Sequence, residues 1–358
     1  MSAVETLLRA DLRGFAGYAS AAGRGFEPRI RLDANESPWA NADAGKGLRC
    51  YPEPQPDALL EALARLYGVA TDQVLACRGS DEGIDLLLRA ACSPGAGAVV
   101  VAPPVFGMYA VCARLHGAQV VDVPLRDDDL GFAPDLDAMT RAARDACARL
   151  VFLCSPGNPT GDVVAPEAVA ALAERLRGEA LVVVDEAYAE FAAAPSSIGQ
   201  LERCPNLVVL RTLSKAHALA GARIGCVLAA PALVAALRRC QAPYPLPVPS
   251  VAAALRALTP GALARTRRRA ARLAQARERL ARQLAARPGV RRVYPSQGNF
   301  LLLRLADAQG VLDRLRALGI AVRDVRTMPQ LGDALRVTVG TPAQNAALLA
   351  ALDGEGGA

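Results

Sequence analysis

The stretch Leu207-Val208-Val209-Leu210-Arg211-Thr212-Leu213-Ser214-Lys215-Ala216-His217-Ala218-Leu219-Ala220-Gly221-Ala222-Arg223-Ile224-Gly225 passes from an apolar run into a polar turn and then into small residues. Four consecutive apolar residues suit a strand buried on both faces. The turn that follows is centred on an amine. Only two lysines occur in the sequence, Lys46 and Lys215, and arginine supplies the remaining positive charge. A guanidinium stays protonated, whereas a desolvated lysine can lose its proton and condense with a carbonyl. Alone, Lys215 admits two readings, an ordinary surface lysine or a nucleophile. Its neighbours separate them.

The same pattern, an apolar run followed by a particular polar loop, occurs twice upstream. Ala180 to Val184 leads into Asp185-Glu186-Ala187-Tyr188, and Leu150 to Leu153 leads into Cys154-Ser155-Pro156-Gly157-Asn158-Pro159-Thr160-Gly161. Further strands are predicted at Val74 to Ala76, Ala98 to Val101 and Val120 to Val123. Helical spacing between them predicts helices over Pro56 to Tyr67, Ile84 to Cys92, Met108 to His116, Leu136 to Ala146 and Pro166 to Leu176. Such alternation indicates an α/β fold whose mainly parallel sheet carries helices on both faces. Ligands of such sheets lie beyond the carboxyl ends of the strands. Three successive strands therefore bring Asn158, then Asp185 with Tyr188, then Ser214 with Lys215 to one edge, and Gly221-Ala222-Arg223 returns a guanidinium there. In Arg78-Gly79-Ser80-Asp81-Glu82-Gly83, Gly79 permits a tight turn and Ser80 or Asp81 would cap the next helix. Its free amides could hold a phosphate; a capped helix that binds nothing fits the same residues.

The flanks are plainer. Ala3 to Ala22 is expected to form a short helix and a loop bearing Tyr18. Ile30 to Trp39 is expected to be a brief strand entering a proline turn, and Tyr51-Pro52-Glu53-Pro54 a stiff loop. After Pro231 the texture changes. A helix over Ala232 to Cys240 meets the proline-rich Ala242 to Pro249, expected to be neither strand nor helix. Alanine- and arginine-rich helices then run from Val251 to about Ala286. Strands near Arg291 to Tyr294, Phe300 to Leu305, Ala321 to Arg323 and Ala334 to Val339 suggest a smaller C-terminal α/β domain. The expected division is an arm over 1–30, a large domain over 31–245 and a small domain over 246–358.

Composition narrows the function classes. In 358 residues, 52% hydrophobic and 21% charged describe a globular chain of about two domains. No apolar run is long enough to span a membrane. Glu5, Arg9, Asp11 and Arg13 interrupt any signal-peptide core, so a cytoplasmic location is expected. Nine cysteines without a Cys-x-x-Cys pair read as reduced thiols, with neither disulfides nor zinc. The net charge of +6 leaves an acidic ligand or nucleic acid open. Arginines from Arg265 to Arg292, however, recur at helical spacing without interleaved aromatics, so a solvated helix face is expected and no nucleic acid. With His116 and His217 as the only histidines, no histidine-rich metal site is available.

Pyridoxal phosphate offers a partner for each group at the sheet edge. Its aldehyde suits Lys215, and Asp185 would keep its ring nitrogen protonated so that the ring accepts electrons. Tyr188 and Asn158 suit its phenolic oxygen. Ser214, Arg223 and the amides near Ser80 and Asp81 suit the phosphate, and Phe106 could lie on the ring.

Asn-Pro-Thr-Gly, Asp-Glu-Ala-Tyr, Ser-Lys-Ala and Arg223, in this order and spacing, resemble the fold type I pyridoxal-phosphate aminotransferases. Leu32-Asp33-Ala34-Asn35-Glu36, Tyr51-Pro52-Glu53, residues 78–83, Arg211 to Ala216 and Leu335-Arg336-Val337-Thr338-Val339-Gly340-Thr341 resemble the histidinol-phosphate branch, from about Tyr18 to Thr341. The resemblance implies that Lys215 joins the cofactor as a Schiff base and shuttles a proton. It implies a homodimer in which Tyr51 reaches the partner's cofactor phosphate. Arg336 would clamp the carboxylate of glutamate, with Arg323, Tyr18 and Asn35 also at the substrate. The implied reaction converts imidazole acetol phosphate and glutamate to histidinol phosphate and 2-oxoglutarate. An aromatic aminotransferase or a threonine-phosphate decarboxylase shares the same scaffold residues. The chain departs from the branch at Phe106, often tyrosine, and at His217, often phenylalanine.

Overall fold

Short continuous apolar runs, buried on both faces, build the central sheet of the computed structural model, which describes residues 5–17, 30, 32–43 and 47–353. In chain order its first part comprises α1 (Asp57–Tyr67), β1 (Val74–Cys77), α2 (Ser80–Ala91), β2 (Ala98–Val101), α3 (Met108–His116) and β3 (Gln119–Asp122). A hairpin, β4 (Arg126–Asp128) and β5 (Gly131–Ala133), precedes α4 (Leu136–Asp145), β6 (Leu150–Cys154), α5 (Pro166–Arg175), β7 (Leu181–Asp185), β8 (Leu207–Thr212), β9 (Gly225–Ala229) and α6 (Pro231–Cys240). Seven of these strands form one sheet in the order β1-β9-β8-β7-β6-β2-β3. From β8 to β3 all neighbours are parallel. Val182 and Val184 face one apolar layer while Leu181 and Val183 face the other, so helices cover both sides. Burying each such side chain contributes roughly 1.5–3 kcal/mol.

Strand β9 is an addition to the expected series, which ended at Leu210. The chain doubles back after Lys215 and β9 pairs antiparallel with both β8 and β1. Cys226 and Leu228 join one apolar layer and Val227 and Ala229 the other, which is why this short run is a strand. Gly225 starts it because a Cβ there would lie 2.6 Å from the Gly79 carbonyl carbon and the Ser80 nitrogen. That close approach sets the amino end of α2 beside the Lys215 loop.

Helices α7 (Val248–Ala257) and α8 (Pro260–Ala285) lead to a second sheet, made of β10 (Val290–Val293), β11 (Phe300–Leu305), β12 (Arg323–Asp324) and β13 (Ala334–Thr338). It is antiparallel throughout, in the order β10-β11-β13-β12. With α9 (Ala308–Ala317) and α10 (Pro342–Asp353) it encloses its own apolar core, in which Leu280 and Leu284 of α8 meet Leu301, Leu303, Leu335 and Val337.

Three expectations need correction. No strand forms among the described residues of 30–39; Leu32 and Trp39 there are 91% and 80% exposed, so nothing among the described residues holds them as a strand. Val248 and Pro249 belong to the first turn of α7, where a missing backbone donor costs no hydrogen bond. Near the amino end, 3-10 turns over Glu5–Leu7 and Ala10–Leu12 replace a helix, and Leu7 and Leu8 are buried beneath α2 residues such as Leu87.

Candidate active site

The carboxyl ends of β6, β7 and β8 and the amino end of α2 surround a cavity of about 120 Å³. Every residue expected around the cofactor lines it except Tyr51: Ser80, Asp81, Phe106, Asn158, Asp185, Tyr188, Ser214, Lys215 and Arg223.

Asp185 closes β7 and is 2% exposed. Its carboxylate accepts from the Tyr109 hydroxyl at 2.9 Å and from the Ala187 amide at 3.1 Å. Burial pushes its pKa up to about 6, against the smaller pull of those two donors. A carboxylate placed at such cost suits a buried cationic partner. Tyr109, stacked on Phe152 at 4.8 Å and edge-on to Phe106 at 5.7 Å, is a positioning residue that sequence reasoning missed. Nothing in the sequence sets it apart from its helix, and it is also part of the core, at 0% exposure.

Lys215 follows β8 in a turn whose geometry Thr212 fixes. The Thr212 hydroxyl accepts from the Ser214 amide at 3.1 Å and donates to the Ser214 hydroxyl at 2.9 Å. The lysine Nζ lies 5.6 Å from the Tyr188 ring centre. Burial lowers the lysine pKa, and the Arg336 charge lowers it further. Both effects favour the free amine that a condensation needs. Asn158 donates to the Tyr188 hydroxyl at 3.4 Å and accepts from Arg336. Arg336 itself comes from β13 and lies 5.1 Å over the Phe300 ring; its Nε has no partner among the described residues. The smaller sheet thus delivers a guanidinium to the larger sheet's edge.

At the amino end of α2 the expected side-chain cap is absent. Gly79 holds the capping position, and Ser80 and Asp81 occupy the first turn. Gly79 has φ 76°, and a Cβ there would lie 2.8 Å from the Arg223 guanidinium. Arg223 pairs with Asp81 at 3.1 Å. Ser80 and Asp81 therefore contribute free amides, with Ser214 and Arg223 across from them. This glycine-lined cradle of amides, hydroxyl and guanidinium, set across the cavity from Lys215 and Asp185, fits a molecule with a phosphate, an aldehyde and a basic ring nitrogen.

The remaining expected residues lie apart. Tyr51 is 55% exposed, accepts no place in this chain's cavity and stacks on Tyr244 at 4.6 Å. Asn35 is exposed and has φ 56°. Arg323 is exposed on β12 opposite Arg336. Tyr18 lies outside the described residues.

Behind the site sits a buried ionic cluster that the sequence did not reveal. Arg211 donates to Glu186 at 2.7 Å and to Glu190 at 2.6 Å, which ties the ends of β7 and β8 together. His217 packs beside it, 3.9 Å from Glu190, and burial lowers its pKa. Neither ring nitrogen has a hydrogen bond among the described residues. The imidazole thus acts as a neutral flat ring. His217→Phe is expected to keep kcat within about twofold and to raise stability by about 1 kcal/mol, read from urea unfolding, because an unsatisfied buried polar group is removed.

Residues 20–352 match the family model for aminotransferase class I and II. Over 350 residues the chain is 57% identical to the histidinol-phosphate aminotransferase of Stenotrophomonas maltophilia, covering 98% of this chain and 96% of that one. The chain belongs to the histidinol-phosphate aminotransferase family. Among solved structures, the histidinol-phosphate aminotransferase of Sinorhizobium meliloti, in complex with pyridoxal 5'-phosphate, superposes with a TM-score of 0.78 at 30% identity, over 86% of this chain and 83% of that one. The L-threonine-O-3-phosphate decarboxylase of Porphyromonas gingivalis, at 22% identity and TM-score 0.74 over 86% and 90% of the chains, shares the fold alone. This family member is a pyridoxal-phosphate-dependent aminotransferase of the fold type I α/β class, as its motifs implied. No helix among the described residues is long and apolar enough to cross a membrane.

Proposed function

We propose that the enzyme transfers the amino group of L-glutamate to imidazole acetol phosphate, forming L-histidinol phosphate and 2-oxoglutarate in histidine biosynthesis. The observation that carries this reading is Arg336, a half-buried guanidinium brought against Asn158 beside Lys215 in a chain alike over nearly its whole length to a histidinol-phosphate aminotransferase. An arginine fork can receive the glutamate carboxylate in one half-reaction and a phosphate in the other.

Pyridoxal phosphate, when bound, supplies an electron-accepting ring and an aldehyde. Lys215 would hold the aldehyde carbon and, once displaced by substrate, take a proton from the substrate α-carbon and return it on the cofactor side. Asp185, kept in place by Tyr109, would hold a proton on the ring nitrogen. Tyr188 and Asn158 would donate to the phenolic oxygen. Ser214, Arg223 and the α2 amides would hold the phosphate, with Phe106 against the ring.

The reading includes a homodimer in the cytoplasm. Tyr51 lies outside its own chain's cavity, and Leu32, Trp39 and Tyr51 expose apolar surface along one segment, which a second copy would cover. Asn35, Arg323 and Tyr18 are assigned to the substrate wall on the family pattern.

Arg336→Lys keeps the charge but loses the fork. It is expected to raise KM for glutamate at least tenfold, in line with about 1.5–3 kcal/mol for hydrogen bonds to a charged group, while kcat falls little. Formation of 2-oxoglutarate from glutamate, dependent on both imidazole acetol phosphate and pyridoxal phosphate, tests the reading as a whole. Equal or faster turnover with phenylpyruvate as acceptor would replace it with the aromatic alternative.

A further inference from the structure

The hairpin β4–β5 grips the smaller sheet through Asp127. One carboxylate oxygen accepts from the Tyr294 hydroxyl at 2.6 Å and from Arg304 Nη2 at 2.9 Å, and the other accepts from Arg292 at 3.1 Å. Arg304 also donates to the Tyr294 oxygen at 2.6 Å and to Asp333 at 2.6 Å. The Tyr294 ring, 1% exposed, packs on Phe132 of the hairpin at 4.9 Å and lies under the Arg292 guanidinium at 4.2 Å. Two strands of three residues cannot stand alone in water. The charge-assisted bonds to Asp127 hold them down.

From this clasp the chain runs directly to the active site. Past Tyr294, the Gln297 amide donates to the Gly161 carbonyl at 2.7 Å, and a Cβ on Gly161 would strike Ser296. Gly161 in turn donates to Gly157 at 2.8 Å, closing the loop that carries Asn158. The Tyr294 amide donates to Leu302 at 3.0 Å, and Leu302 is the β11 partner of Arg336. The clasp and the guanidinium at the cavity therefore share one piece of sheet.

We infer that Asp127 is a positioning residue: with Tyr294 and Arg304 it fixes the smaller sheet over the edge of the larger one and so sets how Arg336 meets a carboxylate-bearing substrate. Asp127 does not line the cavity, and the inference rests on the substrate role proposed for Arg336. A loosened clasp lets Arg336 and the Asn158 loop wander, which weakens substrate capture without touching Lys215, Asp185 or the phosphate cradle.

The test compares Asp127→Asn and Tyr294→Phe with wild type as holoenzymes. KM for glutamate should rise roughly tenfold in the first and severalfold in the second, with kcat within about twofold. Cofactor absorption and affinity should match wild type, while amide exchange across residues 157–162 and 334–338 quickens. Lowered melting temperature with unchanged KM and unchanged exchange at those residues would make the clasp a purely structural contact and overturn the inference. Should Asp127→Asn fail to fold, Tyr294→Phe decides, since it removes one hydroxyl. Were wild type to show no glutamate turnover, the proposed function would fall, and amide exchange alone would judge the clasp.

Discussion

Lys215→Ala is expected to lower kcat by roughly 10⁴-fold or more, because one side chain supplies both the nucleophile and the proton carrier. Folding should survive. Burial and the Arg336 charge already disfavour the lysine ammonium, so its removal relieves a cost. The cofactor should still bind through Ser214, Arg223 and the α2 amides. The discriminating observation is covalent attachment: borohydride treatment should add the cofactor mass to a Lys215 peptide in wild type and leave the variant unlabelled. A variant retaining a tenth of wild-type turnover would mean that another group carries the proton, and Lys46 is the only other lysine.

Asp185→Asn should separate stability from activity. The substitution keeps a group that can bond both Tyr109 and the Ala187 amide, but removes the negative charge. Turnover is expected to fall roughly 10²–10³-fold, the scale for deleting one preorganised electrostatic partner. Stability of the cofactor-free protein should move the other way. Burial raises the folded-state pKa from 3.8 to about 6, so the folded chain binds this proton more tightly than the unfolded one. Stability from this group is present below pH 4 and is lost as the pH rises through 6. At pH 8 the cofactor-free variant should therefore be more stable than wild type by on the order of 3 kcal/mol, with the gap closing below pH 4. Urea unfolding at pH 4.5 and pH 8 reads this directly. A variant less stable than wild type at pH 8 would show that Asp185 is a structural ion and not a strained functional one.

Much of the larger sheet was legible because burial on both faces writes itself as short apolar runs, and the chemistry follows each run. Asp185 ends β7, Asn158 and Lys215 sit in the loops that follow β6 and β8, and the structure brings the three to one cavity. What escaped was whatever depends on a distant partner. The hairpin β4–β5 carries Arg126, Asp127 and Asp128, which look like a solvated loop until Arg292, Arg304 and Tyr294 arrive from more than 160 positions away. Tyr109 went unnoticed because the carboxylate it holds lies 76 positions further on. The strand expected over 30–39 is absent among the described residues for the converse reason: apolar and polar residues alternate from Ile30, but Ile30, Leu32 and Trp39 meet solvent. His217 was unexplained by sequence because its burial beside Arg211 and Glu190 is a tertiary fact.

On the proposed function, this site exchanges an amino group with histidinol phosphate through Lys215. The most direct test mixes the yellow holoenzyme with L-histidinol phosphate in a single turnover, beside L-phenylalanine and L-threonine phosphate, and follows loss of the cofactor's visible absorbance. Fast bleaching with histidinol phosphate and stoichiometric release of imidazole acetol phosphate are expected. Faster bleaching with phenylalanine, or carbon dioxide released from threonine phosphate, would contradict it.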